Sequence, residues 1–373
     1  APQLLSFQAG IYGMWVARPQ PAWAIEEFGD FWQEPGNNQS YGPYVMSEWV
    51  HNEVLVVVKN PFWPGTETIP VPDIDEIQLL NVEQSTGMAM FEAGDLDFQD
   101  TVAPADLDRI RTDPALAEAL TIIPTSCSYY YGFNTRDEPF NNVNLRLAFS
   151  YAIDREEIVN NVTRGGQTAG QWFTIPGLAG SPTLDTHPDL GIWYDPELAQ
   201  EYLQMYLDEM GYGSVDEIPP ITLLYNTNET HAAIAAAAQQ MWVDTLGIEV
   251  ELTNQEFATY LDARAEFPIW RAGWCQDYPD AHNFDFDVFH STSQNNDTWW
   301  SNEEYDAILE EAMSMPDGPE RQDMYAQAEE ILVLEDAAII PFYWYVKINM
   351  TTPGIERTFP MDNAEFYYNW TMP

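Results

Sequence analysis

Residues 221–274 read ITLLYNTNETHAAIAAAAQQMWVDTLGIEVELTNQEFATYLDARAEFPIWRAGW, and the periodicity of this stretch decides the fold class. Ile221–Tyr225 is a short apolar strand, and Glu229–Leu246 is a helix stopped by Gly247. Ile248–Thr253 alternates as a strand, Glu256–Glu266 is helical, and Ile269–Trp274 is a strand again. Strand, helix, strand, helix, strand at these lengths is a pair of βαβ crossovers, which predicts a parallel sheet and an α/β chain. Upstream, Asp195-Pro196 supplies a cap and a first-turn proline. Leu198, Tyr202, Tyr206 and Met210 then form one helical face that Gly211 ends. Asn142–Val162 reads as one long helix with Gly165-Gly166 as its stop, and Tyr129–Phe133 as an aromatic strand. Downstream, Glu303–Met313 and Pro319–Leu334 are amphipathic helices before the apolar strand Ile339–Val346. The first third is mixed and turn-rich. It holds two strands over Tyr44–Lys59 around His51-Asn52-Glu53, a strand at Ile77–Leu80, and short helices at Ser85–Ala93 and Pro104–Arg111.

Sixty acidic against thirteen basic residues give a net charge of −47 over 373 residues, and only Lys59 and Lys347 are lysines. Such a surface repels phosphate backbones and anionic lipid, which argues against nucleic acid and membrane surfaces as partners. Hydrophobic residues at 45% and aromatics at 14% exclude a disordered chain. The length suits two or three domain-sized units. No stretch approaches the ~18 apolar residues of a membrane span. The chain opens APQLLSF with neither an initiator Met nor an export signal, as expected where a leading segment has been removed. Cys127 and Cys275 have no CxxC spacing, which excludes a cysteine zinc site; one disulfide and two buried thiols both stay open.

Ligands of open α/β sheets bind beyond the carboxyl ends of the strands. That rule selects the polar loop 226–231 after the first strand, where free helix N–H groups and His231 are placed to receive a carboxylate. It also selects the loop 275–280 after the third, where Asp277 suits an ammonium group and Arg271, inside the strand, suits a carboxylate. Ordinary roles compete with these. Asp277 in Asp277-Tyr278-Pro279-Asp280 fits a turn, His231 fits a plain early-helix position, and Arg271 has sixty carboxylates to pair with. No GxSxG, HExxH, P-loop or GxGxxG occurs, the five histidines show no metal-ligand spacing, and no DxDxDG calcium loop appears.

Several blocks resemble one family. Gly42-Pro43-Tyr44, Trp49 and Lys59-Asn60-Pro61-Phe62-Trp63 resemble the "GPY…W…NPxYW" signature of extracellular solute-binding proteins of the peptide/nickel class, which serve ABC importers. Phe91–Asp97, Phe133-Asn134-Thr135, Pro139-Phe140-Asn141, Arg146 and Ala152-Ile153-Asp154-Arg155 are similar to further blocks of that family. Residues 223–227 with His231, 254–256 and 271–278 look most like its oligopeptide-binding members.

The resemblance implies a type II, two-lobed periplasmic-binding-protein-like α/β fold. Residues 129–345 would form a complete lobe. Residues 1–128 with 346–373 would form a partial lobe lacking its amino-terminal segment. It implies that Asp277 pairs with a peptide α-amino group, and that Arg271, Arg264 and His231 serve carboxylates of peptides of different lengths. Phe257 and Trp274 fall on pocket-lining positions and Asn295 and Tyr345 on ligand-side ones, while Asn161 stands where a lysine is usual. Cys275 matches a bridged cysteine of some members, but Cys127 lies three residues before the expected partner position, which counts against that bridge. The function implied is a monomeric, non-enzymatic receptor without cofactor or metal. It would bind oligopeptides between two lobes and hand them to ABC permease subunits. Its place would be the periplasm or the cell exterior, with a lipid anchor on a missing leading segment as one form of attachment. An oligosaccharide receptor is the alternative within the family, a secreted hydrolase using two carboxylates the alternative outside it, and nickel or haem carriage has little support in the His-poor loops.

Overall fold

The computed structural model describes residues 19–359 and 365–372; the expectation attached to the opening APQLLSF lies outside them. Ten strands run through the described residues. They are β1 Tyr44–Val50, β2 Val54–Lys59, β3 Glu76–Leu80, β4 Phe98–Gln99, β5 Leu120–Phe133, β6 Thr168–Ala169, β7 Ile221–Asn226, β8 Val250–Gln255, β9 Ile269–Cys275 and β10 Ile339–Thr351. The chain divides into two compact units. One is Pro124–Val346; the described residues of the other are 19–123, 347–359 and 365–372.

In the first unit the strand order is β10-β5-β9-β7-β8, with β6 on β10. Strand β7 runs parallel to both β8 and β9, as two crossovers require. The Asn228 side chain caps the first crossover helix, Glu229–Leu246, and Gly247 closes it at φ 70°, a left-handed value that favours glycine. The second helix is shorter than expected, Phe257–Ala263, and finishes in a 3₁₀ turn, Arg264–Glu266. The sheet is mixed and not purely parallel, because β5 lies antiparallel on β9.

Both faces of this sheet are covered, and the period-2 pleat sorts side chains between them. Tyr129, Tyr131, Leu223 and Ile269 pack with Phe149, Tyr206, Ile234 and Trp242 of the helices on one face. Tyr130, Leu224, Trp270 and Ala272 pack with Phe284, Tyr305, Leu309 and Leu332 on the other. Each buried Leu, Ile or Phe among them contributes roughly 1.5–3 kcal/mol.

The single helix expected over Asn142–Val162 is interrupted. Helix Val143–Tyr151 ends at Ala152, and Asp154 starts a new turn by accepting from Glu157 N at 3.0 Å. Arg155 is the physical reason. Its buried guanidinium donates to the carbonyls of Pro341 (2.7 Å) and Ile153 (3.1 Å), and a straight helix would not let it reach both. Burial pulls its pKa down to about 9, so it stays charged at neutral pH. Arg146, also buried, bonds the carbonyls of Phe140 (2.7 Å) and Asp336 (2.6 Å) in the same manner. Arg155→Met strands the carbonyls of Pro341 and Ile153 in the core and is expected to lower unfolding free energy by about 2–4 kcal/mol. Urea titration would show this as a lower midpoint at unchanged slope.

The cysteines are joined. Cys127 and Cys275 form a disulfide, because the β5–β9 register sets them directly opposite each other. Counting positions in the sequence, which spoke against the bridge, could not see that register.

The second unit has an antiparallel β1-β2-β3 sheet, while β4 pairs with the end of β10 at Met350 and Thr351. Its small core of Met88, Val102, Leu107, Ile110, Ala119 and Met350 is supplemented by a buried ionic cluster. Arg357 stacks over Trp370 (4.3 Å) and Phe98 (4.8 Å) and pairs with Asp100 (2.6 Å) and Glu365 (2.8 Å), which Lys347 also meets at 2.9 Å.

Candidate functional site

The carboxyl ends of β7 and β9 bring together three of the eight residues expected at the site. Arg271 extends from β9 on the sheet face that carries Tyr129 of β5 and Tyr345 of β10. It donates from Nη1 to Asn226 Oδ1 (3.1 Å) and from Nη2 to the Tyr345 hydroxyl, and its guanidinium lies 4.8 Å from the Tyr129 ring centre. His231 joins them from the first turn of its helix, its ring 5.6 Å from that of Tyr129. Burial, and then the Arg271 charge, hold the His231 pKa well below its ordinary value, so the imidazole is neutral and its Nδ1 has no hydrogen-bond partner. Among the described residues no carboxylate pairs with Arg271, and its Nε–H is buried without an acceptor. Gly273 keeps this space open. A Cβ there would stand 3.2 Å from the Tyr345 hydroxyl oxygen and 3.3 Å from Arg271 Nη2.

Trp274 and Asp277 belong to a second network, because the pleat turns Trp274 to the opposite face from Arg271. Fully buried Asn283 organises it. Its Oδ1 accepts from Trp274 Nε1 (3.2 Å) and from the backbone N–H of Asp277 (2.8 Å), and its Nδ2 donates to Asp287 Oδ2 (2.9 Å). Asn295 is tied to the same group through the Asp287 carbonyl (2.8 Å). Asp277 is thereby held with an exposed carboxylate, and Asn283 Nδ2 lies 3.4 Å from it. Its neighbour Asp280 takes the structural role instead, pairing with buried Arg321 at 2.6 Å and capping His282 N at 2.9 Å.

Two residues stand apart. Arg264 is held by Asp297 through Nε (2.6 Å) and Nη2 (2.5 Å) and lies over the Trp270 ring at 5.2 Å. The pairing with an ordinary carboxylate that competed for Arg271 is thus realised at Arg264. Phe257 is 54% exposed and stacks on Tyr260, whose hydroxyl donates to the Arg271 carbonyl. The N–H groups of Thr230 and His231, expected to be open to a carboxylate, are instead bonded by Asn228 Oδ1 at 2.9 and 3.1 Å. At the position where a lysine is usual, Asn161 donates to Glu157 at 2.5 Å.

Sequence reading missed Tyr129 and Asn283, and placed Asn226 in the selected loop without giving it a role. Asn226 carried a signal, a polar residue ending an apolar strand. Asn283 carried none, since its role depends on complete burial between Trp274 and Asp287.

In the second unit a cleft of 570 Å³ is lined by Glu76–Leu80, Asp95–Thr101, Tyr367 and Trp370, among others, and by none of the eight expected residues. No group of three or more His, Cys, Asp or Glu residues arranged to hold a metal occurs among the described residues.

Residues 5–296 match the family described as bacterial extracellular solute-binding proteins, family 5 Middle. The periplasmic oligopeptide-binding protein OppA of Escherichia coli is 32% identical over 353 residues, 93% of this chain and 63% of that protein. The chain thus spans less than two thirds of that relative's length. The crystal structure of Haemophilus influenzae OppA in complex with RPPGFSPFR superposes with a TM-score of 0.86 at 28% identity, covering 100% of this chain and 72% of that one. The E. coli murein tripeptide binding protein MppA gives 0.87 at 28% identity, covering 99% and 71%. The α/β architecture is that of the type II periplasmic binding proteins. The chain belongs to the bacterial extracellular solute-binding proteins of family 5.

Proposed function

We propose that this protein is the oligopeptide-binding component of an ABC import system, a monomeric, non-enzymatic receptor that delivers peptides to permease subunits. The observation that carries the reading is Arg271, a half-buried guanidinium with neutral partners only, its Nε–H fully enclosed, in a chain with sixty acidic residues. A half-buried cation lacking a counter-ion favours an anionic ligand group, and a peptide carboxylate matches its two-pronged donor geometry. Neutral His231 and the Tyr345 hydroxyl add hydrogen bonds to that end. The exposed Asp277 carboxylate, fixed through Asn283, accepts the α-ammonium. The names of the related proteins support peptide as the ligand class. Main-chain contacts and hydrated pockets would accept varied side chains.

In this reading Pro124–Val346 is the lobe that anchors both peptide ends, and the second unit is part of the other lobe. The location is periplasmic or extracellular. The disulfide supports an oxidising compartment, and among the described residues no helix is long and apolar enough to cross a membrane.

Titration calorimetry on the complete protein tests the reading. Asp277→Ala is expected to weaken binding of a free-ended peptide about 10- to 100-fold, the worth of one charge-assisted hydrogen bond. The same peptide with its amino end acetylated should bind wild type and variant alike. Unchanged affinity of Asp277→Ala for the free-ended peptide would remove Asp277 from the site.

A further inference from the structure

Away from the peptide-anchoring groups, two carboxyl side chains meet in the core of the first unit. Asp285 lies in the turn Asp285–Phe289 and Glu329 near the end of helix Pro319–Glu330, and both are 0% exposed. Glu329 accepts from Phe173 N (2.9 Å), from Thr174 N (2.5 Å) and from the Thr174 hydroxyl, the donor set of an ionised carboxylate. The Asp285 side chain meets the Glu329 carboxyl and the Thr174 hydroxyl, and that hydroxyl already gives its one proton to Glu329. Two acceptors in contact need a proton between them, since two full charges at that separation in a low-dielectric core would repel strongly.

The surrounding groups supply no neutralising charge. Arg321 is engaged by Asp280 (2.6 Å) and the Ala312 carbonyl (3.1 Å). Tyr325 lies beside Arg321, and Tyr305 donates to the backbone carbonyl of Asp285 at 2.9 Å. Asp280 and Asp306 add only negative charge. His282, one turn before Asp285, is held neutral by burial and by Arg321, its pKa pulled down to about 3.

We infer that Asp285 and Glu329 form a proton-sharing pair, with the proton on Asp285 and hydrogen-bonded to Glu329, and that this proton holds the segment 277–290 in place. The consequence has a definite sign. Burial raises both carboxyls above their ordinary range near pH 4, with the neighbouring carboxylate adding to the shift of Asp285. The folded state therefore binds more protons than the unfolded one above that range. The pair's contribution is complete at acid pH and is lost as pH rises through the raised value.

The test is the thermal midpoint of the complete protein from pH 5 to 9, with infrared detection of the protonated carboxyl stretch. Wild type is expected to lose about 5–10 °C more than Asp285→Asn across that range, because the amide keeps the hydrogen bond to Glu329 without a titrating proton. The protonated-carboxyl band present at pH 7 should be absent from Asp285→Asn and shifted in frequency in Glu329→Gln, where the Asp285 proton faces an amide oxygen in place of a carboxylate. Should Asp285→Asn not fold, Glu329→Gln carries both readouts. Parallel midpoint curves for wild type and variant, or no band sensitive to either substitution, would overturn the pair.

Discussion

Replacing Arg271 by methionine is expected to weaken peptide binding about 10²- to 10³-fold while leaving the unliganded protein as stable as wild type or more so. The two halves of this result have one cause. Without ligand, Arg271 is a half-buried charge whose hydrogen bonds go to Asn226 Oδ1 and the Tyr345 hydroxyl, with the Tyr129 ring face beside it. Neutral groups offset only part of the cost of taking a guanidinium out of water, so an apolar side chain of similar length relieves the fold of that cost. With a peptide bound as proposed, the same charge would meet a carboxylate in a partly desolvated place, and losing one partner of such a pair costs about 3–4 kcal/mol. Arg271→Lys keeps the charge but not the fork that spans Asn226 and Tyr345, and should fall between the two. An Arg271→Met protein that unfolds several degrees earlier than wild type yet binds peptide normally would make Arg271 a structural residue.

Removing the disulfide is expected to have the largest effect on stability. Cys127 and Cys275 are 148 residues apart in sequence, so the bridge closes a long loop in the unfolded chain. The chain-entropy relation gives about 5 kcal/mol for a loop of that length, the upper end of what disulfides deliver. The pair Cys127→Ser with Cys275→Ser should therefore lower the urea midpoint strongly, and reductant should move wild type to the same place while leaving the double variant unmoved. The bridge also stitches the ends of two strands. Gln276 N donates to the Ser126 carbonyl at 2.9 Å just beyond it, and Asp277 follows. Reduction should thus weaken peptide binding as well, though less than Arg271→Met does. Identical urea midpoints for oxidised and reduced wild type would contradict the assignment of stability to this crosslink.

How much was legible depended on where periodicity stayed clean. Strand β7, its following helix and β9 were readable to within a residue, because apolar spacing, the Asn228 cap and Gly247 all agree. Strand β5 was read only from Tyr129, although it begins at Leu120; Pro124 interrupts the run and hides its first half. Strand β10 continues past Val346 to Thr351 through the polar residues Lys347 and Asn349, which buried ionic and backbone contacts allow and hydropathy does not reveal. The break after Tyr151 was hidden because Ala152 and Ile153 fit a helix; the buried guanidinium of Arg155 decides it.

The site divided in the same way. Arg271 and His231 were legible as chemistry at strand ends and Tyr345 through the family resemblance, and the structure sets them together. Arg264 looked equivalent in sequence, but Asp297, 33 residues later, holds it. Trp274 and Arg271 are three residues apart and look like one cluster, yet the pleat sends them to opposite faces. Burial and register are properties of the folded chain. This is why Asn283, and the pairing of Cys127 with Cys275, could not be read from spacing.

The central claim, that charged groups at these strand ends hold the two ends of a peptide, is tested most directly by one calorimetric series. The complete protein is titrated with a single peptide in four forms: free at both ends, acetylated, amidated, and blocked at both. Tightest binding is expected for the free form, a loss on acetylation matching that of Asp277→Ala, a larger loss on amidation matching that of Arg271→Met, and the weakest binding when both ends are blocked. Equal affinity for all four forms, or no heat with any of them, would contradict it.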